Sequence, residues 1–346
     1  MRIVTLIVLL GVSLSSAQPN YTVVFQHGEG GYPCIRIPSI ARCGSTLHAF
    51  AECRTRIGDG CIPTGKEGLA SVLYPSLCYK NSTDDGATWS PLLPLAANAV
   101  QPTVVCDSYK AAILLQFNAN NSNWQISSHD NGGHWSLPQA IDLGLYNGTY
   151  VGPGVGLQLS EDSQAPGRLL FIGHHGPYEY DIIWYSDDHG DTYQLGKTTL
   201  LYMDEAQLVE LDNGMIMANM RNNHLNPCDC RGVSLSLDSG ETFGNITFDP
   251  TLISPVCMAT ILRTGNGSLL FANPASKTSR VNGLVRRSDD DGATWPYSYL
   301  VTTGDYAYSC LTQVSSNTEV GLLWETGTDD CTGPSCLIVF SKIKVM

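Results

Sequence analysis

Positive charge is scarce in this chain: 19 Lys and Arg stand against 32 Asp and Glu in 346 residues, a formal net charge of -13. A protein that tracks a phosphate backbone needs the opposite balance, so no nucleic acid partner is expected. Long apolar runs are lacking too. The run from Ile3 to Val12 is about half of the roughly 20 residues a membrane-spanning helix requires, and no later stretch is longer, so no stable membrane anchor is expected. No segment sustains a helical period, and no Pro/Ser-rich linker or charge run divides the sequence. Charged residues are only 15% of the chain, yet 43% are hydrophobic, which excludes a natively unstructured protein.

What is present points first to a compartment. Met1 and Arg2, the apolar run, and Ser15-Ser16-Ala17 make the basic end, hydrophobic segment and small-residue cleavage site of a secretory signal. The expected organisation is a signal over 1–17 and a single domain over 18–346, in a secreted, extracellular and monomeric protein. Twelve cysteines, an even number, then read as disulfides. His224, Cys228 and Cys230 offer a metal reading but lack a fourth ligand, and no metal or organic cofactor is expected. Spacing does not fix the connectivity, although the short intervals favour local bridges Cys53 to Cys61 and Cys331 to Cys336. Six glycosylation sequons, at Asn20, Asn81, Asn120, Asn147, Asn245 and Asn266, fit the same route.

One pattern recurs five times, S-x-D-x-G-x-[T/H]-aromatic, running Ser82 to Trp89, Ser128 to Trp135, Ser186 to Tyr193, Ser236 to Phe243 and Ser288 to Trp295. Its copies are 46, 58, 50 and 52 residues apart. Asp next to Gly makes a tight turn, because Gly accepts positive φ and the carboxylate bonds nearby amides. The following Thr and aromatic suit the start of a strand. Apolar runs such as Ala111 to Phe117, Leu169 to Ile172 and Leu269 to Ala272 supply other short strands. A period near 50 with short strands predicts an all-β propeller of four-stranded antiparallel blades. Five motifs leave room for a sixth blade, built from N-terminal strands together with Val320 to Lys344, which closes the ring and removes open sheet edges.

These turns match Asp boxes, which sialidases share with sortilin-type receptors and some other glycosidases. The stronger resemblance to sialidases, of the Asp-box-bearing glycoside hydrolase family 33 type, is carried by other residues. Ile35-Arg36-Ile37-Pro38 looks like the Arg-Ile-Pro signature, and Glu52-Cys53-Arg54 like its companion segment. Gly152-Pro153-Gly154-Val155-Gly156 resembles a further landmark; a dinucleotide-loop reading fails because it lacks a strand-loop-helix setting and carries Pro in the turn. Asp204-Glu205 with Arg221, Asn273-Pro274 with Arg280, Ala307-Tyr308-Ser309 and Leu323-Trp324-Glu325 follow in the family's order across essentially the whole mature chain.

The resemblance implies an exo-α-sialidase acting on sialylated glycans, glycoproteins or glycolipids. A guanidinium presents a planar fork matched to a carboxylate, so Arg36, Arg221 and Arg280 together would clamp the sugar's carboxylate, with Glu325 holding Arg36 in place. A carboxylate nucleophile would meet like charge at the anomeric carbon; the neutral Tyr308 avoids this, with Glu205 as its base. Asp59 stands where the family places its general acid, with Glu67 as the alternative, since the loop carries an apparent insertion around Cys61 to Gly68. A Cys53 to Cys61 bridge would stiffen that loop. Arg54 would contact the ring hydroxyl beside the N-acyl group, supported by Glu52. Gln101 occupies the place of the family's Asn before Pro102. Asp107 is read as a solvated turn residue, and Trp124 and Tyr202 as candidates for the N-acyl pocket. Three other outcomes stay open: a trans-sialidase, a relative preferring a deaminated or N-glycolyl sugar, and a non-catalytic sialic-acid-binding propeller.

Overall fold

The computed structural model describes residues 20–55, 61, 74–144, 148–223, 227–328, 333 and 336–345. The expected signal segment, Asp59, Glu67, Asn147, His224 and Cys331 lie outside them. The described residues form 26 strands and a single 3-10 turn, Glu29–Gly31. Middle strands such as Ala112–Ala119 and Leu269–Pro274 are buried on every residue. Outer strands such as Leu93–Ala97 and Tyr297–Asp305 are largely exposed. Continuous burial means that both faces of each sheet are covered by neighbouring sheets, which is why the inner strands read as apolar runs rather than alternations.

The strands make six sheets in a ring, a six-bladed propeller. Blade one is Cys34–Cys43, Thr46–Arg54, Ser76–Ser82 and Leu93–Ala97; blade two is Ala99–Asp107, Ala112–Ala119, Ser122–Ser128 and Gln139–Ile141. In blade three, Thr149–Val151 and Leu157–Gln158 both pair with Leu169–His175, followed by Tyr180–Ser186 and Gln194–Leu201. Between those two inner pieces, Gly154–Val155 crosses over and pairs parallel with Ala99–Asp107 of blade two. These two sheets therefore have five strands where the sequence predicts four. The crossing needs glycine: at Gly154, φ is 123° and a Cβ would collide with the Gln207 amide.

Blade four is Asp204–Glu210, Ile216–Arg221, Cys230–Ser236 and Thr247–Ile253, and blade five is Thr260–Arg263, Leu269–Pro274, Val281–Ser288 and Tyr297–Asp305. Blade six takes Ser309–Gln313, Glu319–Thr326 and Leu337–Lys344, and its outermost strand is Thr22–Gln26 from the other end of the chain. The expected closure is thus what the ring uses.

Each repeated turn joins the third and fourth strands of its blade. In the first, Ser82 Oγ donates to Asp84 at 2.7 Å and accepts from Gly86 N at 2.8 Å, while Asp84 accepts from the amide and hydroxyl of Thr88 at 2.9 and 2.6 Å. The residue after the Asp has positive φ in all five copies and reaches back toward the preceding blade. Asn131 bonds Thr46 and His48, Ser239 O accepts from Arg168, and Asp291 accepts from the Asp212 amide. Asp85 accepts from the Ser315 amide of blade six. The turns therefore lock blade to blade. In blade six the corresponding position is taken by the meeting of the two chain ends.

Three disulfides brace blade one. Cys34 joins Cys61, Cys43 joins Cys106 of blade two, and Cys53 joins Cys78, with Cα separations of 5.9, 5.6 and 5.8 Å. The expected Cys53 to Cys61 bridge is therefore incorrect. Cys53 and Cys78 sit on hydrogen-bonded neighbouring strands, near enough to link directly, and Cys61 reaches Cys34 instead. Cys228 and Cys230 are bonded to each other, so neither is a thiolate for a metal. His27 lies near Cys34 and Cys61, but those thiols are spent in their own bridge. Cys336 is disulfide-bonded, and Cys257 and Cys310 are buried thiols.

Candidate active site

Three inner strands carry register irregularities at site positions. The pairing slips between Arg36 and Ser39, between Val100 and Thr103, and between Asp204 and Ala206. A bulge re-aims the side chains of an otherwise regular strand, and here each one falls at a residue singled out by the sequence: Arg36, Gln101 and Glu205. At the first, Ile37 has φ 62°, a left-handed conformation that a β-branched residue adopts only when its surroundings hold it there. The restraint is visible: the Ile37 amide donates to Glu325 Oε1 at 2.9 Å.

Glu325, fully buried, is the hub of this corner. Its carboxylate accepts Arg36 Nε at 3.1 Å, Arg36 Nη2 at 3.0 Å and the Tyr308 amide at 3.1 Å. One acid thus ties blade one to the segment entering blade six and orients both the guanidinium and the phenol. The Arg36 guanidinium lies 5.1 Å from the centroid of the Tyr308 ring, and that of Arg280 lies 5.3 Å from it. Arg221 Nη1 donates to Tyr308 Oη at 2.9 Å. Three arginines from blades one, four and five therefore surround a single phenol. Beneath them Ile37, Cys257, Met258 and Ala307 form an apolar floor with the Tyr308 ring.

Tyr308 Oη donates to Glu205 Oε1, and Arg221 Nη1 donates to Glu205 Oε2. Burial pushes the Tyr308 hydroxyl well above its ordinary value and the Glu205 charge adds to this, with Arg221 and Arg280 opposing. Burial works the other way on Glu205, but Arg221, His174 and the Tyr308 hydrogen bond outweigh it and hold the carboxyl below the usual range. The result is a neutral phenol facing an ionised carboxylate, the protonation states of a nucleophile and its base.

A second cluster is continuous with the first, because Glu52 is the strand partner of Arg36 and Arg54 that of Cys34. Arg54 donates through Nε and Nη2 to Glu52 Oε2 at 2.8 and 2.6 Å, and the Gln101 amide donates to Glu52 Oε1 at 2.7 Å. Gln101 adopts φ 59° to do so. Other expectations do not gather here. Trp124 packs on the core beside Phe50 and Phe117 and donates to Ala119 O, while Tyr202 is exposed on the outer wall. Asp107 is not solvated: it is buried at the end of its strand, accepting Gln158 Nε2 at 2.7 Å and the Tyr109 amide at 3.0 Å, with His189 of the next blade 3.2 Å away.

Residues to which the sequence assigns no role surround Glu205. Tyr178 Oη accepts Arg221 Nε at 2.8 Å, and burial pushes its hydroxyl up to about 12. Asp204 accepts the Glu205 amide at 2.8 Å and lies 3.5 Å from His174. Asp181 and Arg231 are fully buried, and burial draws the Arg231 guanidinium down to about 10. The available signal was polar residues ending apolar strands, as in Leu169–His175.

Comparison with known proteins agrees with this fold. The family described as BNR repeat-like domain matches residues 116–322. The chain is 29% identical to a sialidase of Micromonospora viridifaciens over 90% of its own length and 53% of that protein's. It is 26% identical to a sialidase of Bacteroides fragilis over 71% of its length and 53% of that protein's. The chain thus spans about half the length of these curated relatives. Among solved structures, the Hadza microbial sialidase Hz136 superimposes with a TM-score of 0.78 at 24% identity, covering 94% of this chain and 68% of that one. A leech intramolecular trans-sialidase does so with a TM-score of 0.76 at 18% identity, covering 95% and 70%. Matched by that family over more than half its length and folded as these proteins are, the chain belongs to the BNR repeat-like domain family.

Proposed function

We propose that the chain is a secreted, retaining exo-α-sialidase that releases terminal sialic acid from glycans through a tyrosyl-enzyme intermediate. The observation that carries this reading is the gathering of three guanidinium groups around one phenol that is hydrogen-bonded to a buried carboxylate. Arg36, Arg221 and Arg280 bind the substrate carboxylate, and neutral sugars lack the charge that would compensate these cations. Tyr308 Oη attacks the anomeric carbon while its proton passes to Glu205. The glycosidic C–O bond breaks, and its oxygen takes a proton from Asp59, the acid implied by the family resemblance. Water then displaces the phenolate with Asp59 as base, and Glu205 returns the proton to Tyr308. Arg221 Nη1 bridges Glu205 and Tyr308 before substrate arrives, so its charge also steadies the phenolate as it leaves. Arg54 borders the same pocket and contacts the sugar ring, held in place by Glu52. A hydroxyl in place of water makes the chain a trans-sialidase, and the leech enzyme among its structural neighbours is named as one that transfers intramolecularly.

The test is release of sialic acid from a fluorogenic α-sialoside by the wild type and by Tyr308→Phe. The proposal expects a loss of at least about a hundredfold in kcat/KM. Equal rates overturn the nucleophile, binding without turnover in both proteins supports a lectin, and product analysis separates hydrolysis from transfer.

A further inference from the structure

Two carboxylates that are neighbours in sequence, Asp204 and Glu205, are both buried at the bulge of the blade-four inner strand. Like charges this close raise one another's affinity for protons, yet the chemistry proposed for Glu205 requires its negative charge. The compensation comes from blade three. His174, on strand Leu169–His175, places Nε2 3.5 Å from Asp204 Oδ1, and its ring stacks on Tyr150 with centroids 5.8 Å apart. Its Nδ1 is buried with no hydrogen-bond partner among the described residues, so the ring is held by the stack and by Asp204.

We propose that His174 and Asp204 form a buried charge pair that positions Glu205: His174 cancels the Asp204 charge, and Asp204 fixes the Glu205 amide, so that Glu205 keeps its own charge for Tyr308. This rests on the sialidase reading for the identity of the base. The pair acts through Glu205 and does not touch the reacting atoms. The other charged or titratable groups facing it are accounted for. Arg221 from strand Ile216–Arg221 and Tyr308 bond Glu205 directly, and Tyr178 holds Arg221. Asp181, register partner of His174, and Arg231 from strand Cys230–Ser236 lie behind, and Cys257 closes the floor. Arg221 serves Glu205, and Arg231 is committed to Asn219 and the Cys257 carbonyl. His174 is therefore the basic side chain left facing Asp204 among the described residues.

The experiment is a 13C carboxyl titration of Glu205 in labelled protein, assigned with Glu205→Gln, beside the pH profile of kcat/KM, in Asp204→Asn, His174→Gln and the double variant. Asn keeps the acceptor for the Glu205 amide and removes only the charge. Asp204→Asn lowers the Glu205 midpoint and His174→Gln raises it, each by on the order of one pH unit, and the double variant returns close to the wild type. Midpoints that move in the same direction, or stay put, overturn the proposal, because a merely structural pair has no reason to give opposite signs. Opposite midpoint shifts with an unmoved acid limb support the charge pair and overturn Glu205 as the base. The NMR titration reads the pair even in a protein that turns over no sialoside.

Discussion

Replacing Glu325 tests whether one buried carboxylate holds the site together. Its two oxygens accept four donors, Arg36 Nε and Nη2 and the amides of Ile37 and Tyr308, with no solvent access. Removing one partner of a buried ion pair costs about 3–5 kcal/mol. The two amides left without an acceptor add roughly 1 kcal/mol or more each unless water enters. Against a total stability on the order of 5–15 kcal/mol, Glu325→Ala falls near the limit of folding. If the loss comes from an exposed imbalance of charge, taking both partners away is far less harmful. Arg36→Met with Glu325→Leu should recover at least about 2 kcal/mol relative to the sum of the single changes. The assay is equilibrium urea unfolding with disulfides intact. A Glu325→Ala protein within about 0.5 kcal/mol of wild type, or a double variant as unstable as the two losses added together, would refute this reasoning.

Burial pushes the Asp181 carboxyl well up, Asp204 and Glu205 add to this, and Arg231 opposes. The folded chain therefore keeps a proton on Asp181 that the unfolded chain releases near pH ~4, and this group's contribution to stability falls as pH rises above that value. Asp181→Asn should gain stability over wild type at pH 7 but not at pH 4, by about 1.4 kcal/mol per unit of displacement; unfolding curves at the two pH values decide it. Gly86→Ala drives a Cβ into the Phe340 ring at φ 82° and should cost about 2–3 kcal/mol, whereas Gly44→Ala, at φ 60° in open space, should cost about 1. Equal losses in thermal or urea unfolding would contradict the packing of the first repeated turn on blade six. Non-reducing peptide mapping should recover Cys53 linked to Cys78 and Cys34 linked to Cys61; a Cys53–Cys61 peptide would contradict the strand register of blade one.

The ring was legible because its repeat is chemical as well as periodic. Ser, Asp, Gly and Thr each have a bond to make in the turn, so the five copies mark third-strand ends directly. The sixth blade could be inferred by subtraction. The added strand Gly154–Val155 could not, since a two-residue parallel pairing between blades leaves no pattern in the chain. At the site, Arg36, Arg221, Arg280, Glu205, Tyr308 and Glu325 were readable through flanking motifs. Their bulges were not, because register depends on the partner strand. His174, Asp181 and Tyr178 escaped for a related reason, and Asp204 was read only as the neighbour of Glu205: their partners are distant in sequence, and a buried His or Asp looks locally like a strand end. Asp107 misled in the same way, reading as a turn residue while its carboxylate serves the next blade. The Cys53 bridge was misassigned because sequence distance was taken for spatial distance across folded strands.

Catalysis as proposed turns on Tyr308 forming a bond to the sugar. The direct measurement is peptide mass spectrometry of enzyme quenched in acid during steady-state turnover of an activated α-sialoside. The peptide containing Tyr308 should carry the mass of one sialosyl residue, and the adduct should vanish in Tyr308→Phe. Product release with no adduct on that peptide, or with the sugar attached to a different residue, would contradict it.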